Sequence, residues 1–266
     1  MKSLQFRGDP NIWGVAISFL KEKLDLDNSM ALDIGFGTGG FSLALARQSA
    51  LISNFDISLN AIRNFWNRMH ENAISNVSTI HASAVSLPYR DNSYDLVIMN
   101  GVLEYTAIGS KGDPRETHIA ILKDIKRILK SRGLFYLGME NRYYLKYLVG
   151  YKAHDELRFA TILPRSLADA FSKIVKKKGY RRYIYSLKGY RELLSDAGFK
   201  DIQMHTALPN YKFPEYIIEI EKGDEIKNKI RKTKARSFFR KMGYILAHSN
   251  YLYKLIGPDF VILSRA

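Results

Sequence analysis

The sequence has 266 residues, of which 46% are hydrophobic and 12% aromatic, enough for one α/β domain with a decorated substrate region. It has no cysteine, which excludes disulfide frameworks, thiolate zinc sites and a cysteine nucleophile; no histidine pair has H-x-x-x-H spacing, so we expect no metal site. The formal net charge of +15 indicates either an anionic partner or a lysine-rich solvated surface.

The first elements predicted along the chain are an amphipathic helix and a strand that runs into a glycine turn. Residues 10–26 have the helical pattern, and this helix either closes over a ligand or only packs. Residues 31–34 form the strand, and the turn after it formally matches the dinucleotide fingerprint G-x-G-x-x-G. Asp33 at the strand tip would repel a pyrophosphate but suits a ligand that carries an ammonium group and no phosphate, such as S-adenosylmethionine.

The second strand and its terminal acid have the spacing of a nucleotide-binding fold. Residues 51–55 form this strand, and Asp56 ends it 21 positions after Gly35, where an acid hydrogen-bonds ribose hydroxyls. This spacing fits either cofactor. A helix over 57–72 with Ser58 as N-cap and a third strand over 77–80 follow.

The remaining elements complete an alternating α/β pattern. Their predicted order is strand four over 94–100, a helix over 117–129, strand five over 133–139, helices over 164–178 and 187–197, strand six over 199–206 and a last strand over 258–264.

The glycine turn, Asp56 and the stretch at 87–97, which reads L-P-x-x-x-x-S-Y-D-x-V, together resemble class I S-adenosylmethionine-dependent methyltransferases of the type 11 group. The resemblance covers about residues 30–140 and 187–206. It implies a Rossmann-like α/β fold with a doubly wound seven-stranded sheet. That sheet is mostly parallel, its last strand is antiparallel between strands five and six, and helical insertions follow strands five and six.

The resemblance also implies the cofactor, S-adenosylmethionine, and the residues that hold it. In this family the first-strand acid and the glycine turn contact the methionine part, the second-strand acid holds the ribose, and residues after strand three flank the adenine. Ser83 stands where the family usually has an acid, and its hydroxyl can accept the same hydrogen bond. The predicted cofactor residues are Asp33, Gly35, Phe36, Gly37, Gly39, Asp56, Ile57, Ser83, Ala84 and, beside the reactive methyl, Asn100.

We interpret the chain as a single methyltransferase domain over 1–266. Its predicted parts are an N-terminal helix (1–28), a cofactor-binding core (29–141), a substrate lid (142–186) and a basic helical insertion (209–257).

Methyl transfer is an in-line displacement, for which positioning is worth roughly 7–11 kcal/mol and a general base about 10²- to 10⁴-fold. A hydroxyl acceptor benefits from a base, and the candidates are Glu104, Glu140 and His154. Each has a structural alternative. Glu104 can cap a helix or pair within its loop, Glu140 can form a salt bridge, and His154 can be an exposed residue of the lid. The predicted substrate-binding residues are Tyr105, Tyr143 and Arg142, the last suited to a bidentate phosphate contact.

The charge lies almost entirely in the second part of the chain. Residues 1–100 hold 8 basic and 9 acidic side chains, whereas residues 101–266 hold 33 and 17. The basic residues concentrate in 173–191 and 227–241, which fits nucleic acid, an anionic membrane face or a phosphate-bearing acceptor, and equally a solvated surface.

A narrower resemblance lies in residues 140–214, to bacterial and archaeal methyltransferases often encoded with glycosyltransferases of cell-surface polysaccharide synthesis. It implies O-methylation of a sugar-containing or other anionic, small or lipid-linked acceptor. With a polar N-terminus and no spanning segment there, we expect a cytoplasmic protein, either free or peripheral at the inner membrane face.

Three alternatives remain open. An RNA methyltransferase would use the basic C-terminal face, but N-P-P-Y is absent after strand four, where the chain reads Asn100-Gly101-Val102-Leu103. An NAD-dependent oxidoreductase is disfavoured by Asp33. A cofactor-binding module without activity has only Ser83 in its favour.

Overall fold

The computed structural model describes residues 8–48, 51–152, 157–232 and 249–266. Its centre is one eight-stranded sheet with the strand order β3-β2-β1-β4-β5-β8-β6-β7. The strands are β1 (Met30–Ile34), β2 (Leu51–Asp56), β3 (Val77–His81), β4 (Tyr94–Asn100), β5 (Leu129–Glu140), β6 (Lys200–Leu208), β7 (Tyr216–Glu219) and β8 (Asp259–Arg265).

The α/β fold predicted from the sequence is confirmed, including the place of the last strand. The first five strands pair in parallel, and β8 pairs antiparallel with both β5 and β6. The predicted number of seven strands is wrong, because an additional edge strand, β7, pairs antiparallel with β6, with Thr206 opposite Ile218. β7 lies inside the segment that we expected to be helical, where four residues are too few to show a period.

Helices pack on both faces of this sheet. Those in the described residues are α1 (Gly14–Lys21), α2 (Gly40–Ala46), α3 (Leu59–Glu71), α4 (Leu103–Thr106), α5 (Pro114–Ile128), α6 (Leu145–Leu148), α7 (Arg165–Lys176), α8 (Leu187–Asp196), α9 (Gly223–Lys232) and α10 (Asn250–Ile256). In the part of the chain that is described, no helix is long and apolar enough to cross a bilayer.

Helix boundaries differ from the predicted ones where capping residues override the apolar pattern. The single helix expected over 10–26 is a 3₁₀ turn at Pro10–Trp13, capped by Asp9, followed by the shorter α1. α5 begins earlier than predicted because the Asp113 side chain accepts hydrogen bonds from two backbone N–H groups of the first turn. Ser58 is the N-cap of α3, as predicted, since its Oγ accepts from the Ala61 N–H at 3.3 Å.

Two apolar cores lie on opposite faces of the sheet because neighbouring strand residues point in opposite directions. Leu32 and Val97 join the core that contains α5 and α8, while Ala31 and Ile98 join the core that contains α1 and α2. The carboxyl ends of the parallel strands consequently meet at one edge of the sheet, where open α/β folds bind their ligands.

Candidate active site

A cleft of about 1010 Å³ opens at this edge, above β1, β2 and β4. It brings together seven of the predicted site residues. These are Asp33, Gly35, Phe36, Gly37, Asp56, Asn100 and Tyr105.

The glycine turn has a conformation that other residues rarely adopt. Gly35 and Gly37 have φ of +66° and +57°, and a Cβ on Gly35 would lie 2.7 Å from a methyl group of Val102. The Gly37 N–H donates a hydrogen bond to Asp56 Oδ2 at 2.9 Å. The turn is therefore fixed to the end of β2, and its backbone can approach a ligand closely.

Asp33 is buried and hydrogen-bonded within the protein. The Ser42 hydroxyl donates to its Oδ2 at 2.6 Å, and the Asn54 amide donates to Ser42 Oγ at 3.0 Å. Burial raises the pKa of Asp33 to about 7, partly opposed by the Ser42 hydrogen bond. A cation in the cleft would favour the ionised form, as the sequence argument requires. Ser42 and Asn54 were not predicted, because their polar side chains sit in otherwise apolar segments.

Asp56 has the geometry to hold two hydroxyl groups. Its two carboxylate oxygens accept from the N–H groups of Gly37 and Ser58, both at 2.9 Å. Each carboxylate oxygen can accept a second hydrogen bond, and the side chain lines the cleft. These features fit a ribose.

The residues predicted to flank the adenine lie beside the cleft lining. Ile57 is 73% exposed, Ser83 is exposed and accepts from the Val85 N–H at 3.4 Å, and Ala84 is buried. Gly39 has φ +73°, and a Cβ there would collide with the Phe65 ring, so this glycine is required by packing. The contacts of these four residues with a cofactor stay predictions.

Asn100 supplies an unsatisfied buried acceptor at the cleft. Its Oδ1 has no hydrogen-bond partner among the described residues and lies against the Cα of Gly138, where no other residue would fit. Because a buried polar atom without a partner is costly, a ligand donor at this point would be stabilising. This orphan acceptor, the glycine turn and Asp56 fit S-adenosylmethionine.

Beyond β4 and β5 lies an acid cluster, formed by Glu104, Glu140 and Asp259 with two lysines. Glu140 accepts a hydrogen bond from the Tyr147 hydroxyl, and Lys212 and Lys146 pair with it at 3.3 and 3.4 Å. Burial, with the Glu140 charge, raises the pKa of Asp259 to about 7. Lys212 also lines the cleft, so it connects the two regions.

Glu104 differs from its neighbours in this cluster. Its side chain is 1% exposed, and Oε2 has no hydrogen-bond partner in the described part of the chain. Burial, followed by the negative charge of Glu140, raises the pKa of Glu104 to about 7, and the positive charge of Lys212 partly opposes this rise. A carboxylate that titrates near neutrality and keeps a free oxygen is suited to take a proton.

Arg142, at the start of the segment predicted to be the lid, is hydrogen-bonded to backbone carbonyls about twenty residues further along the chain. Its Nε donates to the Thr161 carbonyl at 2.8 Å, another N–H group donates to the Leu163 carbonyl, and the guanidinium lies 5.3 Å from the Tyr143 ring centroid. These contacts favour a structural role, and the substrate contacts of Arg142 and Tyr143 stay predictions. His154, the third candidate base, lies outside the described residues.

Tyr211 and Lys212 line the cleft although the sequence argument gave them no role. Tyr211 packs over Gly101, where a Cβ would come within 2.6 Å of its hydroxyl, and over Gly138. The only sequence signal for them was the motif Leu208–Pro214, from which no chemistry could be derived. Their position depends on the pairing of β6 with β8.

Comparisons with known proteins agree with this geometry. A family described as a methyltransferase domain matches residues 32–137. The chain is 25% identical over 186 residues to a demethylmenaquinone methyltransferase of Geobacillus sp., which covers 65% of this chain and 72% of that protein.

Solved structures share the fold. A SAM-dependent methyltransferase from Aquifex aeolicus superposes with a TM-score of 0.54 at 11% identity, covering 99% of this chain and 97% of that one. A SAM-dependent methyltransferase from Methanosarcina mazei gives a TM-score of 0.55 at 17% identity, with 93% and 96% covered.

Proposed function

We propose that this chain, whose residues 32–137 match a methyltransferase domain, is an S-adenosylmethionine-dependent methyltransferase that methylates a hydroxyl group with Glu104 as the general base. The observation that carries the proposal is the buried, unpaired Oε2 of Glu104 with a pKa of about 7. Tyr105, which follows Glu104 in the sequence, and Lys212, which is ion-paired with Glu140, both line the cofactor cleft. The acceptor would therefore lie between Tyr105 and Lys212.

The cleft residues would hold the cofactor in a fixed orientation. Asp56 would accept from the ribose hydroxyls, the backbone at Gly35 and Gly37 would approach the methionine part, and Asp33 would stabilise its positive charge. Asn100 Oδ1 would accept a hydrogen bond from a cofactor or acceptor donor. When bound, the cofactor supplies an electrophilic methyl group on a sulfonium.

The proton transfer follows from where Glu104 lies. Its Oε2 would take the proton of the acceptor hydroxyl while the acceptor oxygen forms its bond to the methyl carbon and the carbon–sulfur bond breaks. The proton then returns to solvent as Glu104 ionises again, which a pKa of about 7 permits near neutral pH.

The acceptor that fits best is anionic and contains a sugar or a lipid carrier. Lys146 and Lys212 lie on the acceptor side with 23% and 18% of their side chains exposed, and the basic stretch 173–191 belongs largely to the segment that we propose as the lid. A phosphate or carboxylate on the acceptor would be stabilised by these cations.

A second candidate acceptor is a quinol, because the relative described above is named a demethylmenaquinone methyltransferase. A quinol also carries a hydroxyl group. Its deprotonation by Glu104 would raise the nucleophilicity of the ring, so the same base serves a methylation at carbon.

The test incubates the protein with methyl-labelled cofactor and fractionated cell extract, and then locates the label in polysaccharide, lipid or RNA. We expect label in a polysaccharide or lipid fraction. If the methyl group is transferred to oxygen, the label should be present as an acid-stable methyl ether. Glu104→Gln should lower kcat by about 10²- to 10⁴-fold with unchanged cofactor affinity.

The matched control is Glu116→Gln, which changes an exposed glutamate on α5 that does not line the cleft. It should leave kcat unaffected. Label found only in RNA, or full activity in Glu104→Gln, would contradict the proposal.

A further inference from the structure

The helix α7 presents its apolar side chains to solvent. Ala168 and Ser172 are its buried positions, one turn apart on the face towards the protein. The same helix carries four exposed apolar residues. These are Leu167 (56% exposed), Phe171 (36%), Ile174 (73%) and Val175 (55%). Leu167 and Ile174 point away from the buried positions, while Phe171 and Val175 lie next to them.

Small and polar residues are enough to attach α7 to the rest of the protein. Ala168 packs in a small apolar cluster with Leu157, Ala160 and Tyr180, and Asp169 accepts from the Tyr180 N–H at 3.0 Å. An amphipathic surface helix normally turns its apolar face to the core. The most exposed apolar side chain of α7, Ile174 at 73%, is therefore left largely to solvent.

More exposed apolar side chains lie in the same segment of the chain. Phe159 is exposed in the turn between Leu157 and Ala160, which packs beneath α7, and its ring lies close to the Cα of Gly150. Leu148 and Val149, directly before that glycine, are exposed as well. Several large exposed apolar side chains in one segment of the chain are a feature of interaction sites.

Lysines border this apolar surface. Lys173, Lys176, Lys177 and Lys178 are all exposed, and the acid on the same helix, Asp169, is paired with Lys173 at 2.6 Å. We call the four apolar residues of α7 together with Lys176, Lys177 and Lys178 the lid face. Apolar side chains beside a row of lysines are the composition of helices that lie in the interface of an anionic bilayer.

We propose that the lid face docks on an anionic lipid bilayer, with the apolar side chains of α7 at the acyl boundary and the lysines on the lipid phosphates. A symmetric contact with a second copy of the chain would bring the same lysines together, which is repulsive. Nucleic acid would leave Leu167, Ile174 and Val175 against a charged backbone. The proposal does not depend on which acceptor is methylated.

The test measures co-sedimentation of the full chain with vesicles of phosphatidylcholine alone and of equal parts phosphatidylcholine and phosphatidylglycerol. We expect binding to the anionic vesicles, at least ten-fold weaker binding to the neutral ones, and loss of binding at high salt. The double variant Phe171→Ser/Ile174→Ser should weaken partitioning by at least ten-fold. Lys177→Glu/Lys178→Glu should remove the preference for anionic lipid.

Trp66→Ser is the matched control, because Trp66 is 49% exposed on a different helix, α3. It should bind vesicles as the wild type does. All variants should keep the wild-type affinity for S-adenosylmethionine, which shows that they are folded and separates this test from that of the proposed function. Failure to bind anionic vesicles, unchanged binding by the α7 variants, or self-association that Phe171→Ser/Ile174→Ser abolishes would each overturn the proposal.

Discussion

Asp33 and Asp56 end neighbouring strands, yet their surroundings give them different properties. Asp33 is held by a side-chain hydroxyl in a buried position, and burial raises its pKa to about 7. Asp56 accepts from two backbone N–H groups, which stabilise a carboxylate and leave its outer lone pairs to the cleft. Asp33 is therefore suited to respond to the charge of a ligand, and Asp56 is suited to bind hydroxyl groups.

Asp56→Ala should lower the affinity for S-adenosylmethionine at least ten-fold, because two hydroxyl hydrogen bonds to a charged acceptor are lost. Isothermal titration calorimetry measures the affinity, and circular dichroism should show an unchanged fold. Asp27→Ala, which removes an exposed carboxylate that does not line the cleft, is the control and should bind normally. Normal affinity in Asp56→Ala would remove the ribose assignment.

The affinity for S-adenosylmethionine should rise with pH around neutrality. Because the folded pKa of Asp33 is raised from 3.8 to about 7, its contribution to the stability of the ligand-free protein is fully present below pH 3.8 and is lost as the pH rises through 7. A bound cation stabilises the ionised form, so binding releases a proton below pH 7 and strengthens above it.

Calorimetry in buffers of different ionisation enthalpy measures this proton release directly. Asp33→Asn should bind more weakly at high pH and lose the pH dependence. A wild-type affinity that stays constant between about pH 6 and about pH 8 would contradict the role of Asp33.

The elements near the cofactor could be predicted well from the sequence, whereas those that complete the acid cluster could not. β1 and β2 are followed by a glycine turn and by an acid, both local signals. Glu104 lies on α4, Lys212 in the loop between β6 and β7, and Asp259 at the start of β8, and only tertiary folding brings them together. No local pattern indicates that Glu104 is buried without a partner.

One error at the level of elements has a physical cause. β7 has four residues, and it forms a strand because β6 offers backbone groups to pair. The phosphate contact of Arg142 stays a prediction, but the sequence did not indicate that two of its N–H groups donate to the carbonyls of Thr161 and Leu163. Neither β7 nor these two hydrogen bonds can be derived without knowing which backbone groups lie near.

Arg142→Ala should loosen the segment that Arg142 holds. The carbonyls of Thr161 and Leu163 would lose their donor, which costs about 1–3 kcal/mol for buried groups. We expect faster amide exchange across 157–163 by mass spectrometry, with unchanged cofactor affinity. Arg158→Ala, at an exposed position in the same segment, is the control, and equal exchange in both variants would contradict the assignment.

Across the whole molecule, the cleft and the acid cluster lie at different strands of the sheet. The cofactor cleft lies over β1, β2 and β4, and the acid cluster lies where β4, β5 and β8 are neighbours. The excess positive charge belongs to the part of the chain after residue 100, which contains the acid cluster and the residues of the lid face.

S-adenosylmethionine should stabilise the whole molecule against heat. At one hundred times its dissociation constant, a ligand that binds only the folded state adds about 2.7 kcal/mol. For a chain of this size that corresponds to a rise in Tm of roughly 5–10 °C, measured by differential scanning calorimetry. NAD should give no shift, and Asp56→Ala should reduce the shift by about half or more at the same ligand concentration. A larger effect of NAD would contradict the assignment of the cleft.

The insertion of β8 between β5 and β6 has a consequence for biosynthesis. While the ribosome is still adding residues, β1 to β5 can already pair, but β6 and β7 have no place until residues 259–265 emerge. Asp259 starts that strand, so the acid cluster is completed last. A nascent chain would hold the strands that border the cleft before it held the complete cluster.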